Sequence, residues 1–116
     1  MKKEQPDKEN IYDIIYQVVR SVPKGRVTTY GAVAAAIGAK SGARVVGYAM
    51  NTCFGIKPKV PAHRVVNRNG QLTGRFHFAT PTLMQELLEK EGIKIKDDAV
   101  TEFEKLFWDP IKELEL

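Results

Sequence analysis

The sequence predicts a mostly α-helical domain that contains a helix-turn-helix unit and a few short strands. Three patterns support this prediction: an amphipathic stripe in residues 11–22, two short helical segments joined by a glycine-containing turn, and a second apolar stripe that ends at Gly92. The 116 residues, of which 43% are apolar, are enough to form one domain spanning residues 1–116.

The first helix is predicted from apolar residues that recur every three or four positions. One face of this helix collects Ile11, Ile14, Ile15, Val18, Val19 and Val22. Pro23 and Gly25 end the helix, because proline cannot continue its hydrogen-bond ladder and glycine permits the reversal. The polar residues 1–10 are expected to form a flexible tail.

The helix-turn-helix unit follows a short extended segment at residues 26–28. Thr29 can cap a helix over residues 30–37, and Gly38 suits the left-handed conformation that ends such a helix. Residues 40–42 form a short connection, and residues 43–52 form the second helix.

The second helix has an unusually small face, which carries only Ala43 and Gly47. A glycine inside a helix costs about 1 kcal/mol of stability relative to alanine. Its presence therefore indicates that another helix or a ligand lies close to the helix backbone at this point. Tight packing against another helix and insertion into a nucleic-acid groove both explain it. Arg44, on the first turn beside these small residues, favours the groove.

The second half of the chain is predicted to add short strands and one more helix. Residues 54–60 form a loop containing Pro58, followed by an extended Val65-Val66 segment and a turn at Asn69-Gly70. Thr80-Pro81 opens a helix that runs to Gly92, and residues 93–96 alternate like a strand. The remaining core cover is predicted to come from Phe103, Leu106, Phe107 and Trp108.

The charges are strongly segregated along the chain. All 14 acidic residues lie before residue 14 or after residue 85, although the net charge is only +4. The acid-free segment carries ten cations: Arg20, Lys24, Arg26, Lys40, Arg44, Lys57, Lys59, Arg64, Arg68 and Arg75. Such a segment favours a surface that binds a phosphate backbone, although solvated cations on a basic protein would give the same count.

Several classes of site and location are disfavoured by composition. Cys53 is the single cysteine, so no intramolecular disulfide can form, and with His63 and His77 it gives no dense metal-ligand spacing. No metal or other cofactor is therefore expected. Because no apolar run is long enough to span a membrane and the first residues lack a signal-like core, we expect a cytoplasmic protein, nucleoid-associated in a bacterium, without membrane partners.

The segment Val60-Pro61-Ala62-His63-Arg64-Val65-Val66 resembles the active-site motif of O-6-alkylguanine-DNA alkyltransferases, with alanine where those enzymes have their nucleophilic cysteine. The chain thereby resembles the alkyltransferase-like proteins. The similarity covers about residues 11–92 and includes the segments 25–30, 43–50, 69–70 and 87–92. It implies a winged-helix-like helix-turn-helix DNA-binding domain with short strands, which binds O-6-alkylguanine in duplex DNA through the minor groove and flips the damaged base.

The resemblance also implies roles for individual residues. Tyr30 would crowd the phosphate of the flipped nucleotide, and Arg44 would fill the vacated stack. Ala43 and Gly47 would let the helix approach the groove closely. Contacts with the DNA backbone are expected from Lys57, Lys59, Arg64 and Arg68. Alternatively, Tyr30 is a core aromatic residue and Arg44 a plain phosphate contact.

A lesion pocket is expected beside the replaced cysteine. Its predicted lining is Tyr30, Pro61, Ala62, His63 and Arg75. Arg75 would stack on or hydrogen-bond the flipped base, or else form a structural ion pair. By the same resemblance, His63 and Glu91 would be the base and the orienting carboxylate of a catalytic set that is vestigial here, because the methyl side chain of Ala62 has no lone pair to attack with. His63 is otherwise a packed core histidine.

The resemblance predicts a non-catalytic monomer that marks the lesion for nucleotide excision repair proteins. Two alternatives remain. The first is a methylated-DNA–protein-cysteine methyltransferase family member or its inactive Cys-to-Ala form. The second is a helix-turn-helix regulator that reads undamaged sequence.

Overall fold

The computed structural model of the protein describes residues 8–39 and 42–115. Its α-helices are α1 Lys8–Arg20, α2 Tyr30–Ile37, α3 Ala43–Asn51, α4 Leu83–Lys90, α5 Phe103–Leu106 and α6 Pro110–Glu113. Its strands are β1 Thr28–Thr29, β2 Val65–Val66, β3 Ile95–Lys96 and β4 Ala99–Val100. Two 3-10 helices, Ala62–Arg64 and Arg75–His77, complete the described elements. The predicted mostly helical class with short strands is confirmed.

The helix-turn-helix unit forms where the sequence predicts it. The Thr29 hydroxyl accepts the backbone N–H of Ala32 at 3.0 Å, and Gly38 ends α2 with φ +68°. Helix α3 packs against α2 and α1, so that both short helices rest on the first helix. The predicted connection at Lys40 and Ser41 lies outside the described residues.

The hydrophobic core has two parts. The first joins α1, α2 and α3 to the segment before β2, and its members include Ile15, Val19, Val33, Val46, Ala49, Met50, Ala62 and Val65. The second lies under α4 and includes Val27, Val66, Leu72, Met84, Leu88, Ile93 and Val100. Phe103 and Leu106 pack against the second part, and Trp108 is buried, as predicted.

A parallel strand pair connects the two halves of the chain. Thr28 pairs with Val65 and Thr29 with Val66. Strands β3 and β4 form an antiparallel hairpin whose turn residues, Asp97 and Asp98, both have positive φ. Both central residues of a type I′ turn have positive φ, which aspartate tolerates better than most residues.

Several predicted boundaries need correction. Helix α4 starts at Leu83 rather than at Pro81, because Thr80 to Thr82 form a turn and Thr82 occupies the N-cap position. Helix α1 begins at Lys8, so the predicted tail includes three helical residues, while residues 1–7 lie outside the described part.

The predicted apolar stripe of α1 is buried only in part. Ile11 and Ile14 are 40% and 47% exposed, because the core contacts the side of the helix that carries Ile15, Val18 and Val19. Among the residues described, no helix is long and apolar enough to cross a membrane.

Candidate nucleic-acid interface

Helix α3 is amphipathic in an unusual way, with an apolar buried face and a small, cationic outer face. Val46, Ala49 and Met50 are buried in the first core, whereas Ala43 and Arg44 are exposed. The outer face therefore presents the Arg44 guanidinium beside the small residues Ala43 and Gly47, and the exposed ring of Tyr48 borders it.

Gly47 lies on this outer face and contacts no neighbouring helix. A Cβ atom built at this position has no described heavy atom within 4 Å, outside the backbone of its own helix. The interpretation that Gly47 permits tight helix–helix packing is therefore wrong. The missing side chain leaves a depression in the exposed surface of α3, which suits close approach from outside.

A shallow pocket of about 530 Å³ lies next to this face, at the carboxyl ends of β1 and β2. It is lined by Tyr30, Gly31, Ala43, Asn67, Arg68 and Asn69. Arg68 is exposed, and the loop that carries it is fixed by the Asn67 side chain, which accepts the backbone N–H groups of Asn69 and Gln71 at 2.9 and 2.8 Å. We call this pocket the α2/α3 pocket.

Tyr30 joins the α2/α3 pocket to the first core. Its ring packs against the core while the residue stays partly exposed, and burial raises the pKa of its hydroxyl group, so the phenol is neutral. The hydroxyl lies 2.9 Å from the position of a Cβ atom on Gly74. Gly74 thus provides room for the Tyr30 hydroxyl, which sequence reasoning did not anticipate.

Ala62, His63 and Glu91 come together as the resemblance implies, but the set contains no nucleophile. Ala62 is only 5% exposed and belongs to the first core. His63 Nε2 lies 2.7 Å from Glu91 Oε2. Burial lowers the pKa of His63, so the imidazole is neutral near pH 7 and Nε2–H donates to the carboxylate.

Glu91 is held as an anion by three partners. Arg64 donates to both carboxylate oxygens, and the backbone N–H of Gly25 donates to Oε1 at 3.0 Å. Burial alone would raise the pKa of Glu91, but the hydrogen bonds from Arg64, Gly25 and His63 outweigh it and lower that pKa to about 2. The cluster therefore fastens α4 to the turn before β1 and to the 3-10 helix before β2.

Two predicted DNA contacts are placed elsewhere by the structure. The guanidinium of Arg64 is occupied by Glu91 and by the Val22 carbonyl at 3.0 Å, so its role is intramolecular. Lys59 lies with Pro61 in a cleft at the amino ends of the strands, at the opposite end of the β1–β2 pair from the α2/α3 pocket. Lys57 is exposed on the intervening loop.

Arg75 forms the intramolecular ion pair that the sequence offered as the alternative to a contact with the flipped base, and its side chain stays partly exposed. Its Nη2 lies 3.6 Å from Asp98 Oδ2, its Nη1 donates to the Leu72 carbonyl at 3.0 Å, and its guanidinium stacks 4.5 Å from the ring centroid of Phe76. Phe76 is 67% exposed. The sequence analysis missed this exposed aromatic partner.

The other groups with reactive or ligating chemistry among the described residues are the Cys53 thiol and the potential metal ligands. The Cys53 thiol is 1% exposed, and burial raises its pKa, which disfavours the reactive thiolate. Over the described residues, no group of three metal-ligating side chains comes together.

Arg20, which was predicted only as part of the positive charge, donates twice to the Pro58 carbonyl and fixes the loop after α3.

Comparisons with known proteins agree with this geometry. Residues 10–93 match the family described as 6-O-methylguanine DNA methyltransferase, DNA binding domain. The chain is 33% identical over 106 residues to alkyltransferase-like protein 1 of Schizosaccharomyces pombe, covering 88% of this chain and 97% of that one. It is 32% identical over 110 residues to the DNA base-flipping protein of Escherichia coli, covering 92% and 81%.

A solved structure gives the same result in three dimensions. The crystal structure of S. pombe Atl1 in complex with damaged DNA containing O6-carboxymethylguanine superimposes with a TM-score of 0.76 at 30% identity. The match covers 93% of this chain and 98% of that one. The helix-turn-helix architecture predicted from the sequence is confirmed by this likeness.

Proposed function

The chain belongs to the 6-O-methylguanine DNA methyltransferase DNA-binding domain family, and from this premise we propose that it binds O-6-alkylguanine in duplex DNA, flips the base and leaves it chemically unchanged. The observation that carries the proposal is the combination of a small, cationic outer face on α3 with an inert methyl group at Ala62. The first feature supports docking to DNA, and the second supports the absence of transfer.

Alkyl transfer needs a nucleophile that takes the alkyl group while guanine leaves. Ala62 has none, the neutral His63 donates to Glu91, and the ionised Glu91 accepts from His63, Arg64 and Gly25. Cys53 cannot substitute, because its thiol is buried in the core and poorly ionised. The protein therefore acts as a lesion sensor, a role supported by the crystal structure of S. pombe Atl1 in complex with damaged DNA.

Docking is proposed through the outer face of α3 in the minor groove. Gly47 and Ala43 let the helix backbone lie close to the groove floor, and Arg44 enters the base stack in place of the flipped guanine. Tyr30, half buried and fixed by the core, presses on the phosphate of the flipped nucleotide. Arg68, in the α2/α3 pocket, contacts the backbone.

The lesion pocket is proposed to lie beside Ala62 and Tyr30, whereas Pro61 and His63, which the sequence also assigned to it, line the cleft at the amino ends of the strands. In this proposal Arg75 exchanges its long contact with Asp98 for the alkylated base, on which its guanidinium stacks as it now stacks on Phe76. We further propose that one monomer covers the lesion and marks it for nucleotide excision repair, since the protein has no chemistry of its own with which to remove it.

The test is an anisotropy titration of a labelled duplex with one O-6-methylguanine against the same duplex with guanine, at physiological salt. We expect at least a tenfold preference for the lesion and no 14 Da mass increase on the protein. Equal affinities would indicate a DNA-binding protein without lesion sensing. A higher affinity for one undamaged sequence than for a random duplex would indicate a regulator. A 14 Da adduct would establish a transferase instead.

The salt dependence of binding distinguishes the cations. Replacing Arg68 by glutamine is expected to lower the slope of log affinity against log salt by about one, because one phosphate contact is lost. Lys59→Gln is the matched control, since Lys59 lies at the other end of the strand pair, and it is expected to leave the slope unchanged. Equal effects of the two substitutions would contradict the proposed footprint.

A further inference from the structure

A second cationic surface lies at the amino ends of β1 and β2. It is a cleft of about 550 Å³, which we call the basal cleft, and it is lined by Arg20, Lys24, Lys59, Pro61, His63, Arg64, Leu87, Lys90 and Glu91. Five of these side chains are cationic and one is a carboxylate. None of them lines the α2/α3 pocket.

The position of the basal cleft separates it from the proposed DNA footprint. In a parallel pair, the residues before the two strands meet at one edge and those after them meet at the other. Lys24 and Pro61 precede β1 and β2, whereas Tyr30 and Arg68 follow them. Since the two pockets share no lining residue, the contacts proposed for a duplex on α3 and in the α2/α3 pocket do not use the residues of the basal cleft.

The cations of the basal cleft divide into fixed and available groups. Arg20 donates through Nε and Nη2 to the Pro58 carbonyl, and Arg64 donates to Glu91 and to the Val22 carbonyl, so these guanidinium groups are held in place within the protein and raise the local potential. Lys24, Lys59 and Lys90 are exposed at the rim and form no ion pair with a described carboxylate. Between them, Pro61 and Leu87 offer apolar surface.

We propose that the basal cleft binds an acidic, partly apolar segment of a partner protein. Three separated ammonium groups suit carboxylates spaced along a peptide, and the surface of Pro61 and Leu87 suits an apolar side chain between them. A phosphate group is usually held by free guanidinium forks or helix N-termini. Here the Nε/Nη2 edge of Arg20 and the guanidinium of Arg64 already bond within the protein, and α1 and α4 both end at the cleft, with Arg20 and Lys90 in their last turns.

This proposal rests on the proposed function in one respect, which is that the cleft stays accessible while the lesion is bound. The probe is a labelled synthetic peptide of alternating glutamate and leucine, titrated onto the free protein and onto its complex with the O-6-methylguanine duplex. We expect binding below about 1 mM in both states. A peptide with serine in place of leucine is expected to bind at least about threefold more weakly, because less apolar surface is buried.

The variant that tests the rim combines Lys24→Gln, Lys59→Gln and Lys90→Gln. We expect it to weaken peptide binding at least about tenfold and to leave lesion affinity within about twofold. The matched control combines Lys94→Gln, Lys96→Gln and Lys112→Gln, three exposed lysines outside the cleft, and is expected to bind the peptide like the parent protein.

Three results would overturn the proposal: no peptide binding, equal peptide loss in both triple variants, or displacement of the peptide by the duplex. Lysine-dependent binding of inorganic pyrophosphate with no binding of the peptide would overturn it in favour of a phosphate site. Failure of lesion sensing is distinguished from these outcomes, because the peptide titration on the free protein and the duplex titration are separate measurements.

Discussion

Gly47→Ala is expected to stabilise the free protein and weaken its complex with DNA. Position 47 is inside α3 and has no positive φ, and an added Cβ atom would have no described heavy atom within 4 Å apart from its two chain neighbours and the backbone of its own helix. The substitution thus gains the helix propensity of alanine over glycine, about 0.5–1 kcal/mol in the free energy of unfolding, without a clash. For a chain of this length, that corresponds to a rise in Tm of roughly 2–6 °C.

The same methyl group projects from the face proposed to lie against the minor groove. It holds the helix backbone away from the groove floor, so we expect DNA affinity to fall at least about fivefold, equivalent to about 1 kcal/mol. Urea denaturation and anisotropy titration measure the two effects separately. Ala35→Gly, at an exposed position in α2, is the control for helix propensity. It is expected to lower the free energy of unfolding by a similar amount.

Two outcomes would refute this reasoning. Higher stability with unchanged DNA affinity would remove the close approach of α3 to the groove. Lower stability of the Gly47→Ala variant would mean that position 47 is not open. The opposite signs also exclude general misfolding as the cause of weaker binding.

Three further perturbations test other parts of the site. Arg44→Ala is expected to weaken lesion binding at least about tenfold in the anisotropy assay, and equal affinities would remove the finger role. Because the pKa of Glu91 is about 2 when folded and near 4.5 when unfolded, its stabilisation, roughly 3 kcal/mol, is present above pH 4.5 and lost as pH falls towards 2. Glu91→Gln should flatten that part of the pH dependence in urea titrations, and an unchanged slope would contradict the assignment. Gly74→Ala should displace the Tyr30 hydroxyl and weaken lesion binding while circular dichroism stays unchanged, whereas parental affinity would show that Tyr30 needs no fixed position.

Local chemistry made the helix-turn-helix unit predictable. A capping threonine, an alanine-rich turn and a glycine at the left-handed position fix α2 without help from distant residues. The β1–β2 pair was not predictable, because two-residue strands carry no periodicity and their pairing depends on the whole core between them. The start of α4 was predicted two residues too early, at Pro81, because a proline suits the turn that precedes a helix as well as the first position of the helix.

The candidate site divides in the same way. The small outer face of α3 could be recognised from Ala43 and Gly47 alone, because helical spacing places them together. The positions of Arg64 and Lys59 could not. Both positive charges fit a DNA-binding surface when only the linear sequence is known. In the fold, Arg64 donates to Glu91, which is distant in sequence, and Lys59 lies at the amino ends of the strand pair.

The parallel strand pair also determines how α2 and α3, the helices proposed to face DNA, can unfold. Parallel neighbours require a crossover connection, and here α2, α3 and the following loop are that connection. Since α3 shares its core with Ala62 and Val65, it cannot detach without opening the crossover at its far end. The hydrogen-bonded amides in the later turns of α3 should therefore exchange only when the core opens, which gives the surface proposed to bind DNA much of the stability of the whole fold.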